Sequence, residues 1–240
     1  MLGGGLISAG ISYEFSALVG RKDGGQRHII GAFVFISYML GMIPFIADGI
    51  LMSGAVGLLA FTYLAVFIII KQFGFILFLV MACLFSLGYL INIPGGVILI
   101  LLVALAISAC DIGAYFSGRL IGGAKLAPHI SPSKTWSGSC GGVLAAVFII
   151  LPVNALEIYP VMTLIIGGAV IAVLSQIGDL IESHFKRRLG VKDSSRLIPG
   201  HGGFLDRFDG YLTVLPMLVV FVATDLVGLP DIDLNIMSLR

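Results

Sequence analysis

Between Ser183 and Gly210 the chain sets Lys186, Arg187, Arg188, Lys192, Arg196 and Arg207 beside Asp193, Asp206 and Asp209. These six basic residues are nearly half of the 14 in the protein. Cationic side chains, and the N–H groups of a turn such as His201-Gly202-Gly203, neutralise phosphate oxygens. Carboxylates such as Asp206 and Asp209, three residues apart, hold a hard divalent cation while it keeps waters and a substrate's phosphates. The stretch therefore has the equipment for a polyphosphate and Mg²⁺. Just upstream, Asp179, Glu182, Ser183 and Lys186 fall at i, i+3, i+4 and i+7, one stripe of a helix. Lys186, Arg187 and Arg188 would complement the dipole at that helix's end, and Gly190 is a natural stop. Asp179 is flanked by Ile177, Gly178, Leu180 and Ile181, where a charge is expensive and usually has a purpose.

Three further places carry polar or charged residues of note. Asp111 lies eight residues before Arg119, with Tyr115 at i+4 and Ser108 at i−3 on its face. A functional role and a structural inter-helix hydrogen bond both fit it. The loop Gly118–Gly142 is rich in Gly, Ser and Pro, which argues against a continuous helix. In it Lys134, between Ser133 and Thr135, has the composition of a phosphate cradle without the spacing of a Walker motif. The same loop reads equally as a connector, with Trp136 an interfacial anchor. Glu14, seven residues before Arg21, reads as a side chain snorkelling to the interface.

The elements that must position these residues are membrane helices. The chain is 58% hydrophobic and only 11% charged, with mean hydropathy +1.09. A soluble domain is roughly 25% charged. Runs of about 20 apolar residues span the hydrocarbon. Eight are expected: 2–19, 28–47, 50–70, 73–91, 95–120, 138–158, 161–182 and 211–229. Alternating them puts 13 of the 14 Lys and Arg on one side and Arg240 on the other, the asymmetry of a cytoplasmic face. The expectation is an all-α, polytopic integral membrane protein with polar loops 119–138 and 183–210 in the cytoplasm, in the inner membrane if bacterial. Residues 1–110 form its amino-terminal helices and 111–240 a carboxy-terminal region that carries those loops. Cys83, Cys110 and Cys140 lie in or beside apolar runs and offer no disulfide framework.

The run Ser183-x-Phe185-Lys186-Arg187-x4-Lys192-Asp193-x-Ser195-x2-Ile198-Pro199-x-His201-Gly202-Gly203-Phe204-x-Asp206-Arg207-Phe208-Asp209 resembles the signature of phosphatidate cytidylyltransferases. Asp111-x2-Ala114-Tyr115-Phe116-x-Gly118-Arg119, Lys125-Leu126-Ala127-Pro128 and Ser131-Pro132-x-Lys134-Thr135-Trp136-x-Gly138 are similar to that family as well. Ser133 and Ser137 depart from it, standing where relatives often carry a basic residue and Glu. The resemblance implies transfer of the cytidylyl group of CTP to phosphatidic acid, giving CDP-diacylglycerol and pyrophosphate at the lipid bilayer. It implies Mg²⁺, with K⁺ a candidate second cation, and Asp179, Asp206 and Asp209 as metal-site carboxylates. Lys186 and Arg187 join these as catalytic residues. Asp111, Ser131, Lys134, Ser183, Lys192, Asp193, His201, Gly202, Gly203 and Arg207 are the expected substrate-binding set. A homodimer is a candidate assembly, and no nucleic-acid partner is expected. Two other readings stay open: a CTP-dependent lipid kinase, and an ion-coupled transporter using intramembrane Asp111 and Asp179.

Overall fold

The computed structural model describes residue 14 and residues 74–156, 159–195, 203 and 205–224. The first three expected spans lie outside the described residues, apart from Glu14, which is helical. The five later segments are helical where described. They are α1 (Gly74–Asn92), α2 (Gly96–Leu120), α3 (Trp136–Ile150), α4 (Val161–Arg188) and, after the one-turn α5 (Leu205–Phe208), α6 (Tyr211–Ala223). Three helical stretches among the described residues are long and apolar enough to cross a membrane: Gly96–Leu120, Trp136–Ala155 and Val161–Arg188. One departure from the all-α expectation is a two-stranded sheet of β1 (Lys125–Ala127) and β2 (Ser131–Thr135).

The described residues divide into two compact units. The first holds Glu14, α1, residues 129–131, the chain from Leu174 through the second half of α4 to α5, and α6 to Val219. Its interior is apolar: Val80, Met81, Leu84 and Leu90 of α1 are buried, as are Leu205, Leu212 and Leu215. The second holds α2, most of the sheet, α3 and the first half of α4.

In the second unit the sequence's small residues set the spacing of α2 and α3. A Cβ on Gly113 would lie 2.4 Å from the Cβ of Ala145, and one on Gly142 would lie 2.8 Å from the carbonyl oxygen of Cys110. Small residues on facing helices let backbones approach and gain dispersion contact where no hydrophobic drive separates protein from lipid. Ala106, Cys110, Ala146, Ile150 and Ala172 form the buried cluster around this seam. Leu101, Leu105, Ile112 and Phe116 of α2 point outward, as do Leu144 and Phe148 of α3.

Local chemistry sets the helix ends. Thr135 caps α3, its hydroxyl accepting from Gly138 N at 3.1 Å, so the helix begins at Trp136 rather than at the expected Gly138. Such a cap satisfies one of the orphan donors of the first turn. Beyond Ile150 the backbone tightens into a 3₁₀ segment, Leu151–Leu156, because Pro152 has no N–H to continue an α-helix. Gly95 takes φ 72°, the left-handed conformation that glycine adopts without steric cost, and α2 starts at the next residue.

Candidate functional site

The site lies in the first unit, where α4 meets the start of α6. Gly178 makes the approach possible: a Cβ there would sit 2.5 Å from the carbonyl oxygen of Asp209 and 2.9 Å from Thr213 Oγ1. The Thr213 hydroxyl donates to Leu174 O at 2.6 Å, closing the contact one turn earlier on α4. With the backbones pressed together, the α4 stripe of Asp179, Glu182, Ser183 and Lys186 runs beside Asp206 and Asp209.

Lys186 is the centre of the arrangement. Its Nζ lies 2.5 Å from Glu182 Oε2 and 2.7 Å from Asp206 Oδ1. Glu182 is fully buried. The Lys186 contact is an ion pair without hydrogen-bond alignment, and Glu182 Oε1 has no hydrogen-bond partner among the described residues. Glu182 and Asp206 thus share one ammonium.

Asp206 gathers the loop around itself. Besides Lys186, it accepts from Ser194 N at 2.9 Å, Ser194 Oγ at 2.8 Å and Gly203 N at 2.9 Å, all through Oδ2. Burial pushes its carboxyl up, but the bonds from Lys186, Gly203 and Ser194 outweigh that and hold it below the usual carboxylate range. Gly203 has no room for a side chain: a Cβ would lie 2.1 Å from Ser194 Oγ and 2.4 Å from Glu14 Oε2. The Gly203 N–H, expected to face phosphate, is here given to Asp206.

The other expected residues are distributed as follows. Asp179 Oδ1 accepts from the Ser183 hydroxyl at 3.2 Å, and Asp209 Oδ1 accepts from Gly210 N at 2.6 Å. Arg187 reaches the carbonyls of Ile130 and Val191, each at 3.4 Å. Lys192, Asp193 and Arg207 are exposed to solvent. His201 and Gly202 lie outside the described residues. Asp111, Ser131 and Lys134 are on α2 and β2: Asp111 is exposed, Ser131 and Lys134 half-buried. On the Asp111 face, the Tyr115 hydroxyl accepts from Arg119 at 2.7 Å, and the Ser108 hydroxyl donates to Ala104 O at 2.8 Å.

Two acidic residues at this place were given no role from the sequence. Glu182 could have been found, since it stands one turn before Lys186 on the same stripe. Glu14 could not. It is fully buried rather than snorkelling, and its partners, Ser194, Ser195 and Leu205, are far away in the chain.

For Mg²⁺ the donor set fits in part. Asp179 and Asp209 are half-buried carboxylates on backbone segments in contact, the hard oxygen donors that cation takes. Asp206 would join them only by releasing one of its protein donors. No three His, Cys, Asp or Glu are grouped closely enough to hold a metal ion among the described residues.

A profile of the Cytidylyltransferase family matches residues 2–225, so the chain belongs to that family. Among curated proteins, it is 46% identical over 137 residues to a phosphatidate cytidylyltransferase of Brucella suis biovar 1, covering 54% of this chain and 48% of that protein. It is 48% identical over 133 residues to the protein so named in Haemophilus influenzae, 52% and 46% of the two chains. The counterpart in Staphylococcus epidermidis is 43% identical over 129 residues, 53% and 50% of the two. The chain spans about half the length of the curated relatives it matches.

Proposed function

We propose that this chain transfers the cytidylyl group of CTP to phosphatidic acid, giving CDP-diacylglycerol and pyrophosphate. The observation that carries the reading is the Lys186–Asp206 contact inside a chain of this family. Residues scattered along the 183–210 signature fold onto one another around a basic group and several carboxylates. The new bond joins a phosphatidate oxygen to the α-phosphorus of CTP, and the bond from that phosphorus to the β-phosphate oxygen breaks. A phosphate monoester with a second pKa near 6 is already largely ionised at neutral pH, so no side chain is needed as a base. The protein supplies positioning, and cations for the charge that develops on the α-phosphate and on pyrophosphate.

Lys186 is the phosphate clamp closest to the carboxylates, with Arg187, Lys192 and Arg207 available from the same stretch; Lys134, on β2 in the second unit, is a proposed phosphate contact in its own right. Mg²⁺ would be held by Asp179 and Asp209, with Asp206 in reserve, and would supply Lewis-acid neutralisation of the phosphates. We read the face bearing the loops as cytoplasmic, from the segregation of Lys and Arg over eight spans in a bilayer.

The test is incubation of the purified chain with phosphatidic acid, Mg²⁺ and CTP labelled at the α- or the γ-phosphate. Lipid labelled from the α but not the γ position is the expected result. Label from γ alone would make the protein a lipid kinase, and label from neither would remove both enzyme readings. In the same assay Asp179→Asn and Asp209→Asn should each abolish turnover or sharply raise the Mg²⁺ requirement. Unchanged Mg²⁺ dependence in both would detach these residues from the cation.

A further inference from the structure

Glu14 stands apart from every residue so far assigned to the reaction. It belongs to the first apolar run, yet its side chain is fully buried at the loop that carries the site. Oε1 accepts from the Ser195 hydroxyl at 2.7 Å. Oε2 accepts from the Leu205 backbone N–H at 2.9 Å and lies 3.2 Å from the Ser194 Oγ, whose one proton it shares with the nearer Asp206 Oδ2. The donors are ten residues apart in the chain, so Ser195 and Leu205 are held to one carboxylate.

We infer that Glu14 is a positioning residue, which ties Ser194 and Ser195 to Leu205 and thereby sets Asp206 against Lys186. Three features carry this. First, a carboxylate is acceptor-only, with two oxygens and about four lone-pair sites, which suits a point where three donors converge. Second, the Ser194 hydroxyl lies between Glu14 Oε2 and Asp206 Oδ2, at 3.2 and 2.8 Å, so its one proton is shared and links the two carboxylates. Third, Gly203 leaves Glu14 room: any Cβ there would collide with Oε2. The inference rests on the cytidylyl-transfer reading for its kinetic consequence. Its structural consequence stands without that reading.

The experiment uses the full chain in detergent or lipid nanodiscs. Glu14→Ala removes all three acceptor contacts. Glu14→Gln keeps an oxygen for Leu205 N, while its amide can donate to the Ser195 hydroxyl oxygen. Amide hydrogen exchange of peptides covering 191–210 should quicken in Glu14→Ala and stay near wild type in Glu14→Gln, with peptides from α2 and α3 unchanged in both. In steady state Glu14→Ala should lower kcat by about a hundredfold, the scale of a small misplacement at a reacting centre, with KM for CTP moving far less. Glu14→Gln should stay within about tenfold of wild type, as a neutral bond in place of a charge-assisted one allows. Unaltered exchange at 191–210 in Glu14→Ala would overturn the inference, as would an equal rise in every peptide. An active wild type whose kcat is untouched by a loosened loop would also overturn it. If Glu14→Ala does not fold, Ser195→Ala, which removes the Oε1 contact alone, replaces it: faster exchange at 191–210 supports the anchor, and unaltered exchange there overturns it. A wild type without cytidylyl transfer would remove the proposed function, and the exchange data would still decide the anchor.

Discussion

The α2–α3 seam and the Lys186 network are held together by opposite means. At the seam, glycine and alanine let two backbones touch, and the buried cluster around them holds no charged side chain. At the network, Lys186 meets Glu182 and Asp206, while Glu14 and Asp206 divide the donors of one loop. The seam depends on volume and should be indifferent to pH and salt. The network depends on charge, and a change of sign there costs more than a change of size.

The contrast is broken most directly at Lys186. Lys186→Met keeps the length of the side chain and leaves Glu182 buried and uncompensated. It should destabilise the protein by about 3–5 kcal/mol, the cost of breaking a buried pair from one side, read as unfolding in detergent. Adding Glu182→Gln should recover part of that loss. Wild-type stability in Lys186→Met would show that charge does not hold this region.

Lys134 sharpens the comparison from within the second unit, since it is a charged residue beside a seam built on shape. Lys134→Ala should leave unfolding unchanged and cut kcat by ten- to a hundredfold, equivalent to a charge-assisted hydrogen bond of roughly 1.5–3 kcal/mol. Activity within twofold of wild type would make the hairpin a connector only.

At the seam itself, Gly142→Ala places a methyl 2.8 Å from Cys110 O. Overpacking of this kind costs about 1–3 kcal/mol, and the loss should be the same at every pH where the protein stays folded. A loss that varied with pH would mean charge reaches the seam.

The smallest effect is the acid limb. The Asp206 carboxyl is depressed in the folded protein, so its stabilisation is present above the unfolded carboxylate value, about 3.9. It fades as pH falls through the lower folded value, because the unfolded chain then binds the extra proton more readily. Asp206→Asn should flatten this limb, and Gly142→Ala should leave it unchanged. Equal acid sensitivity in Asp206→Asn and wild type would remove Asp206 as its source.

How far the sequence could foresee this differs between the two regions. Helices were legible from hydropathy, and the α4 stripe from its 3.6-residue period, because both follow from neighbours in the chain. The early start of α3 is not legible from hydropathy, because its cap is the hydroxyl of Thr135, a polar residue that the sequence groups with Ser133 and Lys134. The early end of α3 was missed because Pro152 sits in an apolar run that hydropathy carries onward. At the site, the signature named Lys186 and Asp206 but not their contact with each other. It had no means of finding Glu14, whose partners are near only after folding. An acidic residue in an apolar segment says that a partner exists and leaves its identity to the tertiary structure.

The strand β2 passes into α3 without an intervening residue: Thr135 ends one and Trp136 begins the other. Trp136 is the only tryptophan in the chain, is 58% exposed, and stands two positions after Lys134. Its indole fluorescence is therefore a native optical signal for this hairpin, with no second emitter of its kind to subtract. A nucleotide that settled against Lys134 would have to move or shield that ring, since no flexible linker separates the two. Binding could then be followed by emission wavelength and quenching in the unlabelled protein, before any turnover takes place.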